Sequence, residues 1–375
     1  MTLEPGRPGG SETNVRGVLA EFSRGLPGLS TTVLATDRVL RAYGDLGGEH
    51  VRFASVPGYP GAQSAARRFA SLLASRPLGR VARRALPREV AVSHYPLTVM
   101  APALPRPRVT TVFDLNHHDL PHLWSRAQRL YRGIAYDRAA RTATVVITAS
   151  SYSRARLVDV LGVDPDRIRV ARLGIDHSQF SPEPDETDVV LDDQRLAERF
   201  VLYPAALLPH KNHHRLLRAL ALTQDRRLEL VLTGQDHGAW PPLAALAAQL
   251  GIARRVRHLG FLERRLLPAL YRRAAGVVFP SLYEGFGAPP LEAMACGSPV
   301  ATSFAASLRE LCEGATVEID PLDVESIASG IERVACDEGL RARLKVAGLQ
   351  RATHYTWRRT AEEHLAAYRL ATEMA

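Results

Sequence analysis

The 375-residue chain is too long for one ordinary α/β domain, and its 46% hydrophobic content can fill two cores. No run of about twenty apolar residues is present, and Met1–Gly10 has prolines and glycines where a signal peptide has an apolar core, so we expect a cytoplasmic protein. The spacing of Cys296, Cys312 and Cys336 suggests neither a disulfide framework nor a zinc site, and we expect buried thiols. The formal net charge of +9 favours an anionic partner but does not indicate which class of anion it is.

Short β-branched runs alternate with helix-length amphipathic segments, which indicates βα units and a parallel sheet. In the first half, the predicted strands are 31–36, 51–56, 90–94, 108–113, 144–149 and 168–173. The clearest predicted helices are 125–141 and 151–161, and Gly162 supplies the stop signal for the second.

The acidic, proline-bearing stretch 181–193 predicts a linker between two domains. A second βα series follows. Its predicted strands are 200–204, 228–233, 256–260, 276–280, 299–302 and 315–319, and its helices begin near Asn212, Pro241, Glu263, Pro289, Asp323 and Trp357. We therefore predict an α/β fold with Rossmann-like domains at 1–185 and 186–355. Because ligands bind beyond the carboxyl ends of parallel strands, two facing domains predict an interdomain cleft.

The segment 279–299 has the features of a phosphate-binding loop. Gly285 and Gly287 allow close backbone approach, and a helix is predicted to begin directly afterwards, so its positive end would face an anion. Glu284 and Glu292 bracket this loop, and carboxylates accept hydrogen bonds from sugar or ribose hydroxyls. For Glu292, simple complementarity to the helix dipole is the alternative explanation.

Lysine is rare in this arginine-rich chain and occurs only at positions 211 and 345. Asn212 stands where a helix N-cap is expected, which puts Lys211 just ahead of the positive end of that helix. A cation at this place is tolerable when an anion arrives. The alternative is a solvated surface lysine.

The neighbouring histidines, His210, His213 and His214, have spacings that resemble a metal site, but no acidic residue completes it. We interpret them as polar lining or surface residues. Asp192 and Asp193 lie in the predicted linker and are interpreted as solvated. We therefore predict no metal site and no cofactor beyond a sugar nucleotide used as co-substrate.

Together these segments resemble glycosyltransferase family 4, retaining enzymes of the GT-B fold. The family pattern EGFG-x-P-x-L-E matches Glu284 to Glu292 residue for residue. The resemblance implies that Glu284 contacts donor-sugar hydroxyls, that Gly285, Phe286 and Gly287 supply backbone amides to the sugar and phosphate, and that Glu292 holds the ribose. It also implies that Lys211 neutralises the diphosphate.

The resemblance covers nearly the whole chain. It implies donor contacts for an N-terminal glycine loop and for two loops beside the base, namely Gly9, Gly10, Gly234, Gly260 and Phe261. The segment from Phe113 resembles the acceptor-side loop. The last segment, 356–375, resembles a helix that packs back on the first domain.

Two substitutions depart from the family pattern within the expected site. An arginine that often precedes the family lysine by five positions is Ala206, which leaves more of the phosphate charge to Lys211. The histidine usual at the end of a first-domain strand is Phe113. Its catalytic role is therefore assigned to His117 or Asp114, with a purely structural histidine as the alternative.

A third departure concerns the first strand. Family members have an apolar strand before the glycine loop, but residues 1–8 are too few and too rich in proline to form one. The sequence therefore predicts a first sheet that lacks an inner strand. Two explanations stay open: a chain that starts downstream of the functional start, or an unusually open first domain.

The resemblance implies retaining transfer of a hexose from a nucleoside-diphosphate sugar to a glycan, lipid-linked or small-molecule acceptor. Mannose is favoured because mannosyltransferases are common among relatives with similar PHKNH segments. The alternatives are a sugar-nucleotide epimerase or hydrolase of the same fold and a catalytically inactive nucleotide-binding homologue.

Arginines interleaved with apolar residues in 65–88 give a basic amphipathic face. This pattern predicts peripheral contact with the inner face of an anionic membrane or with a lipid-diphosphate acceptor, and an ordinary arginine-rich surface helix is the alternative. Low aromatic content and the lack of a recognised module argue against nucleic acid as a partner.

Overall fold

The computed structural model describes residues 10–56, 75–190 and 196–375. The chain forms two compact units, one made of residues 1–174 with 357–375 and one made of 175–356. The domain boundary expected at 185/186 thus lies inside the second unit. The expected linker 181–193 also belongs there, and Arg272 pairs with Asp185 at 3.1 Å and with Asp188.

The first unit contains two separate parallel sheets. In the smaller sheet, β1 (Thr31–Ala35) pairs with β2 (Val51–Ser55). The larger sheet has the order β3-β4-β5-β6, and its strands are β3 (Ser93–Tyr95), β4 (Arg108–Thr111), β5 (Val145–Thr148) and β6 (Ile168–Val170). All four residues of β5 are buried, as expected for a parallel sheet covered on both faces.

Eight helices accompany these strands in the described part of the first unit. They are α1 (Gly10–Arg24), α2 (Asp37–Tyr43), α3 (Ser75–Arg84), α4 (Asn116–Asp119), α5 (Arg126–Arg132), α6 (Arg138–Thr142), α7 (Ser151–Leu161) and the last helix, α16 (Trp357–Glu373). A π-helical turn, Gly133–Asp137, separates α5 from α6, so the single helix predicted at 125–141 is wrong in detail. Helix α16 packs on the core of this unit through Ala361, Ala367 and Tyr368.

A cavity of about 470 Å³ lies between the two sheets of the first unit. Its wall includes consecutive residues of both strands, 31–34 of β1 and Ser93–Tyr95 of β3. Only every second residue of a strand points to a given face of its sheet, whereas every residue contributes backbone to the strand edge. The edges of β1 and β3 therefore line the cavity. Residues 1–8, on which the expectation of a missing inner strand rests, lie outside the described residues.

The second unit is built on one six-stranded parallel sheet with the order β12-β11-β10-β7-β8-β9. Its strands are β7 (Phe200–Pro204), β8 (Glu229–Thr233), β9 (Val256–His258), β10 (Gly276–Phe279), β11 (Val300–Ser303) and β12 (Val317–Ile319). The central strands β7 and β10 are buried along their whole length. The carboxyl ends of these two neighbours carry the loops in which the sequence places the donor site.

The helices of this unit cover its sheet and close its core. They are α8 (Thr187–Val190), α9 (His213–Leu222), α10 (Trp240–Gln249), α11 (Leu267–Arg273), α12 (Ala288–Ala295), α13 (Leu308–Cys312), α14 (Val324–Cys336) and α15 (Glu338–Ala352). Burial raises the pKa of Cys296 and of Cys312 to about 12, so both thiols stay protonated. Cys336 is exposed, which corrects the expectation of three buried cysteines.

Candidate functional site

The loop between β10 and α12 is held in place by a buried serine. The Ser307 hydroxyl lies 2.9 Å from the carbonyl oxygen of Glu284 and 2.7 Å from that of Phe286. Gly287 has a φ of +104°, and a Cβ there would come within 2.5 Å of the Leu308 side chain. Glycine is therefore required at this N-cap position. The loop backbone is thus fixed at the positive end of α12, where it can receive a phosphate.

Lys211 and Glu284 meet in this structure. Their Nζ and Oε1 atoms are 2.5 Å apart, and the side chains are only 16% and 11% exposed. The Tyr203 hydroxyl, from buried β7, donates to the Lys211 carbonyl oxygen at 2.8 Å. The Lys211 ammonium also lies 5.6 Å from the centre of the Phe279 ring. The solvated surface lysine considered as an alternative is therefore wrong.

Asn212 joins the lysine turn to the neighbouring strands. It is fully buried with a φ of +63°, and its Nδ2 donates to the carbonyl oxygens of Pro280 at 3.0 Å and Pro321 at 2.7 Å. Helix α9 begins at the next residue, so the predicted boundary holds, but the Asn212 side chain does not cap it. Its function is instead to lock the Lys211 turn against the end of β10.

Two histidines beside Lys211 are held in the neutral form. Burial first and the Lys211 charge second lower the pKa of His210 to about 4, against an opposing effect of Glu284. The same two causes lower the pKa of His213 to about 3. His213 is buried with its ring 4.8 Å from that of Tyr203, whereas His214 is exposed. These two histidines therefore add no positive charge beside Lys211 near neutral pH.

Glu292, on α12, is buried and has a partner for each oxygen. Its Oε1 accepts a hydrogen bond from Arg264 Nη2 at 2.6 Å, and its Oε2 accepts one from the Tyr271 hydroxyl at 3.2 Å. Burial and the Glu292 charge raise the pKa of Tyr271 well above its usual value, so this hydroxyl remains a donor. Arg264 was not among the predicted site residues, although it lies four residues after Gly260, in a loop that the resemblance places beside the base.

The two loops expected beside the base lie next to each other. The Gly234 amide donates to the Gly260 carbonyl oxygen at 2.8 Å, and Thr233 Oγ1 donates to the same oxygen at 2.8 Å. A Cβ at Gly234 would come within 2.4 Å of the Ala205 carbonyl oxygen, so glycine allows the close approach. Phe261 is 51% exposed and leaves an aromatic surface open for contact.

Three of the four site residues predicted in the first unit lie in the described part of the chain. Gly10 is exposed at the start of α1, and Gly9 lies outside the described residues. Asp114 accepts a hydrogen bond from the Asn116 amide at 3.1 Å. His117 has an almost fully buried ring, and its Nε2 lies 2.9 Å from Asp137 Oδ1.

His118 completes a clamp around the Asp137 carboxylate, with its Nε2 2.9 Å from Oδ2. Burial raises the pKa of Asp137, but the bonds from His117 and His118 outweigh burial, and the pKa is lowered. The three side chains place possible metal ligands within 4.8 Å of one another. A metal-bound histidine needs an acceptor at its other ring nitrogen, and His117 Nδ1 is buried without one among the described residues. The contacts therefore favour a structural clamp that fixes α4 to the π-helical turn.

Family models match both halves of the chain. Residues 8–179 match the model described as Glycosyltransferase Family 4, and residues 192–351 match Glycosyl transferases group 1. The O-antigen chain mannosyltransferase B of Escherichia coli is 31% identical over 270 residues, which is 70% of this chain and 70% of that protein. The chain belongs to the family 4, group 1 glycosyltransferases. The predicted family and the predicted enzyme class are confirmed.

A second relative of this glycosyltransferase is the MMP alpha-(1->4)-mannosyltransferase of Mycolicibacterium hassiacum. It is 31% identical over 241 residues, which cover 62% of this chain and 56% of that protein. The regions shared with these two mannosyltransferases thus span 70% and 56% of their lengths.

Solved structures show the same fold for the glycosyltransferase. Anabaena HepE, determined with UDP and glucose, superposes with a TM-score of 0.72 over 97% of each chain at 20% identity. WaaG, a glycosyltransferase of lipopolysaccharide biosynthesis, gives a TM-score of 0.68 over 96% of this chain and 95% of its own at 17% identity. The prediction of a GT-B fold with parallel α/β domains is confirmed.

Proposed function

We propose that the protein transfers a hexose, with mannose favoured, from a nucleoside-diphosphate sugar to a glycan, lipid-linked or small-molecule acceptor, with retention of the anomeric configuration. The donor occupies the second unit. The observation that carries the proposal is the 2.5 Å contact between Lys211 and Glu284, beside a glycine loop at a helix N-terminus.

In this proposal Lys211 changes partner when the donor binds. Without donor, the Glu284 carboxylate compensates the buried ammonium, because an unpaired buried charge is costly. When the donor is bound, the diphosphate pairs with Lys211, and Glu284 accepts hydrogen bonds from the sugar hydroxyls. The ammonium and the amides near Gly287 then stabilise the negative charge that grows on the leaving diphosphate.

The rest of the chemistry comes from the substrates. The departing phosphate oxygen takes the acceptor proton on the same face of the sugar, so the chain has to position the reactants and stabilise charge. A lysine and backbone amides can supply that stabilisation, and we propose that no metal ion is needed. His117 and Asp114 stay predictions as acceptor-side residues.

Mannose is favoured because both named relatives are mannosyltransferases. UDP and UDP-glucose are bound in structures of HepE. A screen of GDP-mannose, UDP-glucose and their base-swapped counterparts, with EDTA present or absent, therefore covers the donors that these proteins suggest. Release of nucleoside diphosphate gives turnover, and NMR of the product anomer reports retention.

The chain offers a matched pair of lysines for this assay. We expect Lys211→Ala to lower the release of nucleoside diphosphate by about a hundred-fold or more, the size of effect seen when one charge-stabilising donor is removed. Lys345→Ala removes the same charge elsewhere and should stay within about twofold of the unchanged protein.

Equal rates for the two lysine variants would refute the assignment of the donor site. The alternatives give different products: a hydrolase or an epimerase consumes donor without any acceptor, and an inactive homologue binds nucleoside diphosphate but releases none from any donor. Glu284→Ala serves as the inactive control throughout.

We also propose that the protein meets an anionic membrane through the basic helix α3. Arg80, Arg83 and Arg84 are exposed on this helix, while Ala82 is fully buried. Residues 65–74 of the predicted basic segment lie outside the described residues. No helix in the described part of the chain is long and apolar enough to span a bilayer.

Liposome co-sedimentation tests this contact. Binding should rise with the fraction of anionic lipid and fall when Arg80, Arg83 and Arg84 are changed to glutamate, because polybasic segments gain about 1 kcal/mol per charge at such a surface. Sedimentation that is the same with neutral and anionic vesicles would remove the proposal.

A further inference from the structure

We propose that Arg264 positions the donor nucleoside: it holds the Glu292 carboxylate in place for the ribose and offers its other N–H groups to the nucleotide. This inference rests on the proposed function, because it assumes that Glu292 receives the ribose. It gives Arg264 a role in the selection of ribonucleotide donors, in addition to the roles of Lys211, Glu284 and Glu292.

Burial makes Glu292 dependent on Arg264. The carboxylate side chain is only 4% exposed, and a buried charge without a partner is strongly unfavourable. Arg264 supplies the opposite charge at 2.6 Å, and Tyr271 holds the second oxygen at 3.2 Å. These two contacts select one orientation of the carboxylate before any ligand arrives.

Arg264 itself remains accessible. Its side chain is 36% exposed, nine times the exposed fraction of its partner. The guanidinium lies over the Phe180 ring, 4.8 Å from the ring centre, which fixes its plane. A guanidinium carries five N–H donors in a rigid fork, and only Nη2 has a protein partner among the described residues. The other donors are available to a bound molecule.

The position of Arg264 in the chain connects two parts of the donor site. The turn Arg264–Leu266 follows the loop of Gly260 and Phe261, which the resemblance places beside the base. The Arg264 side chain reaches Glu292, which the resemblance places at the ribose. The arginine that the family usually has at the phosphate end is Ala206 in this chain. Arg264 places an arginine at the nucleoside end of the site instead.

Two hydroxyl groups distinguish the ligand that this arrangement suits. A carboxylate held in one orientation accepts hydrogen bonds from the vicinal ribose hydroxyls, and a site built for a hydroxyl discriminates strongly against the analogue that lacks it. If Arg264 is lost, Glu292 becomes a buried charge without a counter-charge, its orientation is no longer fixed, and it distinguishes ribose from deoxyribose less well.

Steady-state kinetics with the ribonucleotide donor and its 2′-deoxy and 3′-deoxy analogues tests the inference. We expect Arg264→Ala to raise the donor KM by at least about tenfold, equivalent to about 1.4 kcal/mol, with kcat within about threefold. Its preference for the ribonucleotide should fall by about tenfold or more. Arg264→Lys should recover part of both losses, because it restores the charge without the fork.

Arg265→Ala is the matched control, since Arg265 is 60% exposed and pairs with Glu263 at 2.7 Å. It should keep the KM and the ribose preference of the unchanged protein. Circular dichroism shows whether each variant is folded, and Arg264→Lys carries the test if Arg264→Ala is not.

The outcomes separate this inference from the proposed function. If the Arg264 variants keep the original KM and ribose preference while Glu284→Ala is inactive, the inference is wrong and the proposed function stands. If no donor is turned over and Lys211→Ala binds nucleoside diphosphate as well as the unchanged protein, the proposed function fails and this inference fails with it.

Discussion

The ion pair between Lys211 and Glu284 joins the loops that follow two neighbouring strands, β7 and β10, and the proposed donor site depends on it. Each residue sits in a turn that the surrounding packing fixes. Asn212 holds the lysine turn to the end of β10, and Ser307 holds the glutamate loop. Because both charges are mostly buried, neither is stable alone, and a diphosphate can replace the glutamate as partner of the lysine.

Two charge pairs at the proposed donor site have different consequences. Lys211 with Glu284 presents a compact ammonium, whereas Arg264 with Glu292 presents a planar fork on an aromatic ring. Neutral His210 and His213 add no positive charge near the lysine, because burial lowers the pKa of both. In the proposed function, Lys211 is therefore the cation that meets the phosphate, and Ala206 replaces the arginine that is usual nearby.

Much of this arrangement could be predicted from the sequence. Strong β-branched runs identified the twelve strands in the described part of the chain, since a buried parallel strand leaves a continuous apolar signal. The EGFG motif and the rarity of lysine singled out Glu284 and Lys211, and the structure brings the two together. The contact itself could not be derived, because it depends on how Asn212, whose side chain was expected to cap a helix, bonds across strands instead.

The first unit shows where the sequence was less informative. His117 was chosen because a family histidine was missing nearby, yet its ring is buried against Asp137. That contact depends on a π-helical turn, which has no reliable signal in a sequence that otherwise indicates one continuous helix. Arg264 was overlooked for a related reason: in a chain with many arginines, its identity carried no information until its distance to Glu292 was known.

The binding of nucleoside diphosphate to Lys211→Met and Glu284→Gln, measured by calorimetry, tests the central claim most directly. If a diphosphate replaces Glu284 as the partner of Lys211, Lys211→Met will weaken binding by about tenfold or more. Glu284→Gln will leave binding unchanged or make it tighter, because Lys211 then has no carboxylate partner to give up. Glu284→Gln will still lose sugar transfer. Equal weakening by both substitutions, or no effect of either on binding, would contradict the account.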